Sequence, residues 1–261
     1  MRKSLGHTVT LAGAALALVA SAPAARAQQL PPARQILERH MEAIGGRQVL
    51  GQQRFRRIIG DISMPAMGIT MTMDARFARP NKFVMRTETP GMGTMFVGFD
   101  GTNAWSLNST TGPQMMEGKE LQQALREADF DGSMDPIKSF PTLETTELAN
   151  VDGKACHRVR MVTARSDTVF GCFDVGTGLM SSMDMKRASP MGEMAIQMRM
   201  LEYRDFGGTK MATRTTVSVG GQEMMVTTVK SVSYEPIAES EFIPPAEIRA
   251  LIQNRPAAPR N

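Results

Sequence analysis

The sequence predicts a mainly β protein, a sandwich or barrel of antiparallel strands with two helices left over. Three observations carry this. From Phe55 onward apolar and polar residues alternate, most plainly at Ile69, Met71, Met73, Ala75 and Phe77, with Thr70, Thr72, Asp74 and Arg76 between them. The alternating stretches are separated by turn-forming groups such as MPAMG, RPN, TPGMG, FDGTN, VDGK, DVGTG, FGGT and VGGQ. Only two longer segments show helical spacing instead, and few helices among many short strands mean stacked or rolled sheets.

The chain begins with Arg2 and Lys3, an apolar run TLAGAALALVA and small residues at Ala25 and Ala27. This order predicts a secretory signal peptide, residues 1–27, cleaved after Ala27. The run is too short to span a bilayer, and no cysteine stands near the cut for lipid attachment. The mature chain is therefore expected to be exported, most simply to a bacterial periplasm. Losing Arg2, Lys3 and Arg26 lowers the Lys and Arg count from 30 to 27 against 26 Asp and Glu, so the net charge falls from +4 to about +1. A near-neutral chain has no electrostatic footprint for nucleic acid.

Pro31 and Pro32 open the first helix, ARQILERHMEAI, whose apolar side is Ile36, Leu37, Met41 and Ile44; Gly45-Gly46 stops it. A short helical turn is expected near RQVLG. Strands are expected at 55–64, 68–77, 82–88, 94–99, 103–108, 143–149, 155–164, 168–174, 178–187, 193–204, 210–219 and 222–233. Between the fifth and sixth, GKELQQALREADF sets Leu121, Ala124, Leu125 and Ala128 on one helical stripe. No linker or repeat divides residues 28–252, which read as one domain, and residues 253–261 read as a disordered tail.

Cys156 and Cys172 are the two cysteines of an exported chain and are candidates for a disulfide. A symmetric turn around Arg165-Ser166 sets them diagonally rather than opposite, so a bridge is expected to need a bulge or a shifted register. Methionine occurs 23 times, outnumbering the 11 Phe, 2 Tyr and 1 Trp together. Met71/Met73, Met183/Met185 and Met198/Met200 each share a strand face. Flexible thioethers suit a surface that must fit greasy ligands of variable shape, but a core that is methionine-rich by compositional habit reads the same way. A third reading is a Cu(I) site, since thioethers bind soft metals.

The catalytic inventory is thin. Only His40 and His157 survive signal removal, and both read as structural or surface histidines. No G-x-S-x-G, HExxH, P-loop or dinucleotide glycine pattern occurs. Asp129, Asp131 and Asp135 lack the closing glutamate of a calcium loop. No cofactor and no metal is expected, and a binding role fits better than an enzyme.

Three segments carry a family likeness: Arg79-Pro80-Asn81 with Phe83, Asp100-Gly101 with Trp105 and Asn108, and Phe242 with Pro244-Pro245. Together, in this order, they resemble the LolA/LolB-like periplasmic lipoprotein-carrier superfamily, the outer membrane lipoprotein-sorting proteins. HMEAIGG and CFDVGTGLM resemble a broad subgroup of it. The resemblance implies a strongly curved antiparallel sheet, an open half-barrel, with an N-terminal helix and a central helical lid. It implies a concave face that holds acyl chains and, at Arg79, a latch that hydrogen-bonds the lid backbone of the empty protein. The departures are the many methionines, the two cysteines and a longer N-terminus.

The expected function is a periplasmic carrier holding acyl chains of lipoproteins or other lipids for delivery towards the outer membrane. The expected lining is Met71, Met73, Phe77, Phe83, Met85, Trp105, Met198 and Met200. Lipidated cargo, an inner-membrane transporter as donor and an outer-membrane acceptor are the expected partners of a monomer. The alternatives are an envelope lipid or lipoprotein sensor or scaffold on the same fold, and a methionine-rich copper-handling protein.

Overall fold

The computed structural model describes residues 29–132, 135–163, 166–189 and 192–254. The expected signal peptide lies outside these residues, as does all but Gln253 and Asn254 of the expected tail.

Thirteen strands form one antiparallel sheet. The first six are β1 (Phe55–Met64), β2 (Ile69–Ala78), β3 (Lys82–Thr89), β4 (Gly93–Phe99), β5 (Ala104–Asn108) and β6 (Gly112–Met115). The others are β7 (Thr142–Val151), β8 (Lys154–Val162), β9 (Thr168–Asp174), β10 (Met180–Ser189), β11 (Gly192–Phe206), β12 (Thr209–Val219) and β13 (Gln222–Ser233). Their spatial order is β6-β5-β4-β3-β2-β1-β13-β12-β11-β10-β9-β8-β7. Two meanders thus meet where β1 pairs with β13, and β6 and β7 are the free edges of an open, curved sheet. Register shifts at Ile59/Gly60, Thr145/Glu147, Met180/Ser182 and Val217/Ser218 supply local bends. Gly207-Gly208 and Gly220-Gly221 turn two hairpins with both residues at positive φ, the conformation tight turns between twisted strands require.

The helices are α1 (Ala33–Ala43), α2 (Gly46–Gln52), α3 (Gly118–Ala128), α4 (Pro136–Ser139) and α5 (Ala246–Gln253). The chain that carries α3 and α4 has to run from edge strand β6 to edge strand β7, so the topology itself draws it across the open side of the sheet.

Strand pairing sorts the side chains into two faces. Met73, Ala75 and Phe77 of β2 stand opposite Thr87, Met85 and Phe83 of β3, which stand opposite Met95, Val97 and Phe99 of β4. The same face continues through Arg56, Ile58 and Ile62 of β1. Beyond the centre it holds Thr215 and Val217 of β12, Ile196, Met198 and Met200 of β11, and Met183 and Met185 of β10. All of the first four helices pack on it. Ala33, Ile36 and Leu37 of α1 meet Val159, Met161, Val169 and Phe173 at one end. Ala124 and Ala128 of α3 meet Phe83, Phe99 and Ala104 at the other. Met41, Leu50 and Phe130 fill the space between.

β6, α4 and α5 lie outside the expected elements. β6 carries Pro113, and as an edge strand it tolerates a residue with no N–H to donate. α5, which follows Pro244-Pro245, packs Ile248 against the opposite face with Phe242, Trp105, Val84 and Ala78. Trp105 lies over Gly98 of the neighbouring strand, where an added methyl would come within 2.5 Å of the indole.

The disulfide Cys156–Cys172 is present, with Cα atoms 5.5 Å apart. Arg158 pairs with Cys172 and Cys156 with Asp174, so the cysteines are diagonal neighbours, as the symmetric turn implies. The expected bulge is absent between β8 and β9: the bridge spans the diagonal of a regular pairing, because strand twist shortens one diagonal.

Candidate functional site

The helix-bearing face grades from covered to open. Met73 and Phe83 are buried, while Met71, Phe77, Met85, Met198 and Met200 are half-buried. These seven expected lining residues share one face. Trp105 does not join them. It pairs with Gly98 and Met115 on the other face and is fully buried under Phe242 and Ile248. The D-G-x-x-x-W and F-x-P-P segments therefore assemble one structural plug on the back of the sheet. Pairing also adds residues that sequence reading left out of the lining: Met183 stands directly opposite Met198, and Met185 opposite Ile196. Their period-two spacing is visible in the sequence; which strands become neighbours is not.

The Arg79 side chain is largely buried and meets polar partners in the cover. Its Nη1 donates to the Gly51 carbonyl at 2.8 Å and its Nη2 to the Leu50 carbonyl at 3.2 Å, both in α2. Nη2 also lies 2.6 Å from Asp131, in the segment after α3. One side chain from the β2–β3 turn thus ties two parts of the cover to the sheet. Asp135, from the same acidic segment, pairs with Arg47 at 2.6 Å and caps α4 by accepting from Ile137. These carboxylates serve ion pairs and caps.

Beneath the cover lies a cavity of about 170 Å³, lined by His40, Ile44, Leu50, Arg56, Tyr203, Thr209, Lys210, Met211 and Ala212. Arg56 is 7% exposed, and its guanidinium sits over the rings of Phe77 at 4.7 Å and Phe130 at 5.1 Å. Burial lowers its pKa to about 10, opposed by the nearby Tyr234. His40 is also buried, which pushes its pKa below the ordinary value against the pull of its bond to Gly178. Its Nδ1 is 3.1 Å from the Gly178 carbonyl, which can only accept, so Nδ1 carries the proton. Tyr203 donates to the Met180 carbonyl at 2.8 Å, and burial raises its pKa. A second cavity of about 90 Å³ lies beside Pro31, Ile36, Arg39, His157 and Phe173. Both are smaller than the roughly 300–1,000 Å³ of a typical small-molecule pocket. A long hydrocarbon must therefore lie along the half-open rows or displace part of the cover.

Among the described residues no helix is long and apolar enough to cross a membrane. No protein-family model matches the sequence, and no curated protein is significantly similar to it. Solved structures do match. A LolA superfamily protein from Nitrosomonas europaea aligns over 82% of this chain and 99% of its own, at 13% identity and a TM-score of 0.58. A DUF1329 family protein from Desulfovibrio piger aligns over 82% and 98%, at 9% identity and a TM-score of 0.58. An outer membrane lipoprotein-sorting protein domain from Vibrio parahaemolyticus aligns over 80% and 97%, at 8% identity and a TM-score of 0.54. The chain has a LolA-like fold.

Proposed function

We propose that this protein is a periplasmic carrier or binding protein for the acyl chains of lipoproteins or other lipids, acting in delivery towards the outer membrane. The observation that carries the reading is the set of half-buried apolar rows that emerge from under α1–α3 on the inner face. Met71, Met85, Met183, Met185, Ile196, Met198 and Met200 belong to them. Burying a chain of about 16 carbons on such a surface contributes up to roughly 12 kcal/mol, at about 0.8 per methylene. Displacing the cover and ordering the chain reduce that figure. Release to an acceptor needs the filled and empty states to lie close in free energy, and the polar contacts of Arg79 to α2 and Asp131 stabilise the empty one. The names of the Nitrosomonas and Vibrio structures, a LolA superfamily protein and a lipoprotein-sorting domain, are consistent with this reading. So are the signal-like N-terminus and the absence of a recognisable catalytic motif.

Native mass spectrometry of protein purified from the cell envelope tests it. The expected result is co-purifying lipid or acylated peptide, with the lipid lost when Met198 and Met200 are changed to Glu. Protein that carries no lipid, and takes up none from acylated peptide or fluorescent fatty acid, overturns it.

A further inference from the structure

We propose that the 170 Å³ cavity at Arg56 is a site for an oxyanion headgroup, a carboxylate or phosphate, on an amphiphile whose tail runs along the methionine rows; this rests on the acyl-binding reading above.

The lining has the right charge. Arg56 and Lys210 bring positive charge, and none of the lining residues is an Asp or Glu. Asp205 is nearby, as the strand partner of Lys210 across the β11–β12 turn, but it accepts from the Gly208 N–H and does not line the cavity. Neutral His40 and the hydroxyls of Tyr203 and Thr209 complete a polar wall, opposite Ile44, Leu50 and Met211.

The volume has the right size. It is several times the roughly 30 Å³ that a water occupies in the liquid, yet too small for a whole lipid. It fits a headgroup.

Arg56 is a charged residue in an otherwise apolar row. Its same-face neighbours along β1 are Ile58 and Ile62, and its partner across β2 is Phe77. Its guanidinium lies over the rings of Phe77 and Phe130 at the cavity wall.

The direction of the rows is also right. From the cavity, Arg56 leads to Ile58 and Ile62, Phe77 to Met73 and Met71, and Met211 to Val217, beside Met198. All three strands run out from under the helices the same way. Six residues of β1 cover about 20 Å, the length of an extended chain of about 16 carbons.

The test measures binding of palmitate, of 1-hexadecanol and of inorganic phosphate to the mature protein and to Arg56→Gln, Arg56→Lys and Lys210→Gln, each checked for folding by thermal melt. The expected result is that wild type prefers palmitate over hexadecanol by tenfold or more. Arg56→Gln loses that preference and keeps its hexadecanol affinity, Arg56→Lys keeps most of it, and exposed Lys210→Gln loses part. If Arg56→Gln does not fold, Lys210→Gln and Arg56→Lys decide between the outcomes. Equal affinities in wild type overturn the headgroup site and leave acyl binding standing. A preference that survives in both Arg56→Gln and Lys210→Gln also overturns it. So does phosphate binding at Arg56 that does not weaken palmitate, which assigns the cavity to free anion. If neither lipid binds, the acyl reading and this proposal fall together.

Discussion

Arg56 and Arg79 share one aromatic ring: the guanidinium carbon of each lies over Phe130, 5.1 Å from its centroid. Arg56 comes from the sheet face and reaches the cavity; Arg79 comes from the β2–β3 turn and holds α2. Phe130, fully buried with Met41 and Leu50, is where the Arg56 cavity and the Arg79 contacts to α2 meet.

Phe130→Ala should therefore destabilise the protein by about 3–5 kcal/mol, the range for deleting a buried aromatic. Phe130→Leu keeps most of the volume but removes the ring beneath both cations, for a smaller loss of about 1–2 kcal/mol. Denaturant unfolding reads both. A Leu variant as stable as wild type would show that the two cations gain nothing from the ring.

Arg79→Leu removes two hydrogen bonds to α2 and the pair with Asp131. Faster amide exchange in 50–52 and 129–132 should follow, with more binding of an apolar dye and a stability loss of about 1–3 kcal/mol. Impaired control of loading and release should accompany these changes. Unchanged exchange, loading and transfer would count against the latch.

Replacing both Cys156 and Cys172 by Ser opens a loop whose ends are 16 residues apart. The unfolded chain gains freedom, and stability should fall by about 3 kcal/mol. Since the bridge lies within the β8–β9 pair, ligand binding at the far side of the sheet should not change once the variant is folded.

Asp74 sits among Arg57, at 2.7 Å, and Arg76, at 2.6 Å, on the outer face. Partial burial alone would raise its pKa, but the bonds and charges of Arg57 and Arg76 outweigh that and hold it below the ordinary 3.8. The folded value is thus below the unfolded one. The stabilisation is complete above the ordinary carboxylate range and is lost as pH falls through the folded value. Asp74→Asn should flatten the decline of melting temperature below about pH 4 and lower stability at pH 7. An identical acid limb in the variant would place the pH dependence elsewhere.

The β architecture was legible because its signal is local. Period-two alternation and glycine pairs mark strands and hairpins wherever they fall, and all twelve expected strands correspond to strands of the sheet. The thirteenth, β6, is only four residues long and contains Pro113, so it carries little alternation, and as an edge strand it tolerates the proline. Seven of the eight expected lining residues share a face, because alternation within a strand is a property of the chain alone. Trp105 falls on the other face because it pairs with Gly98 and not with Val97, the β4 residue opposite Met85, a register that only the pairing of β4 with β5 sets.

By itself, then, the sequence determined the strands, the turns, the two main helices and the apolar side of each element, all set by backbone stereochemistry and side-chain period over a few residues. Tertiary structure alone decided which strands adjoin, that Met183 faces Met198, that two motifs close the back of the sheet, and that Arg56 ends buried between two phenyl rings. Those outcomes depend on the register of residues far apart in the chain. Register is fixed only when the hydrophobic faces of all the strands and helices are buried at once.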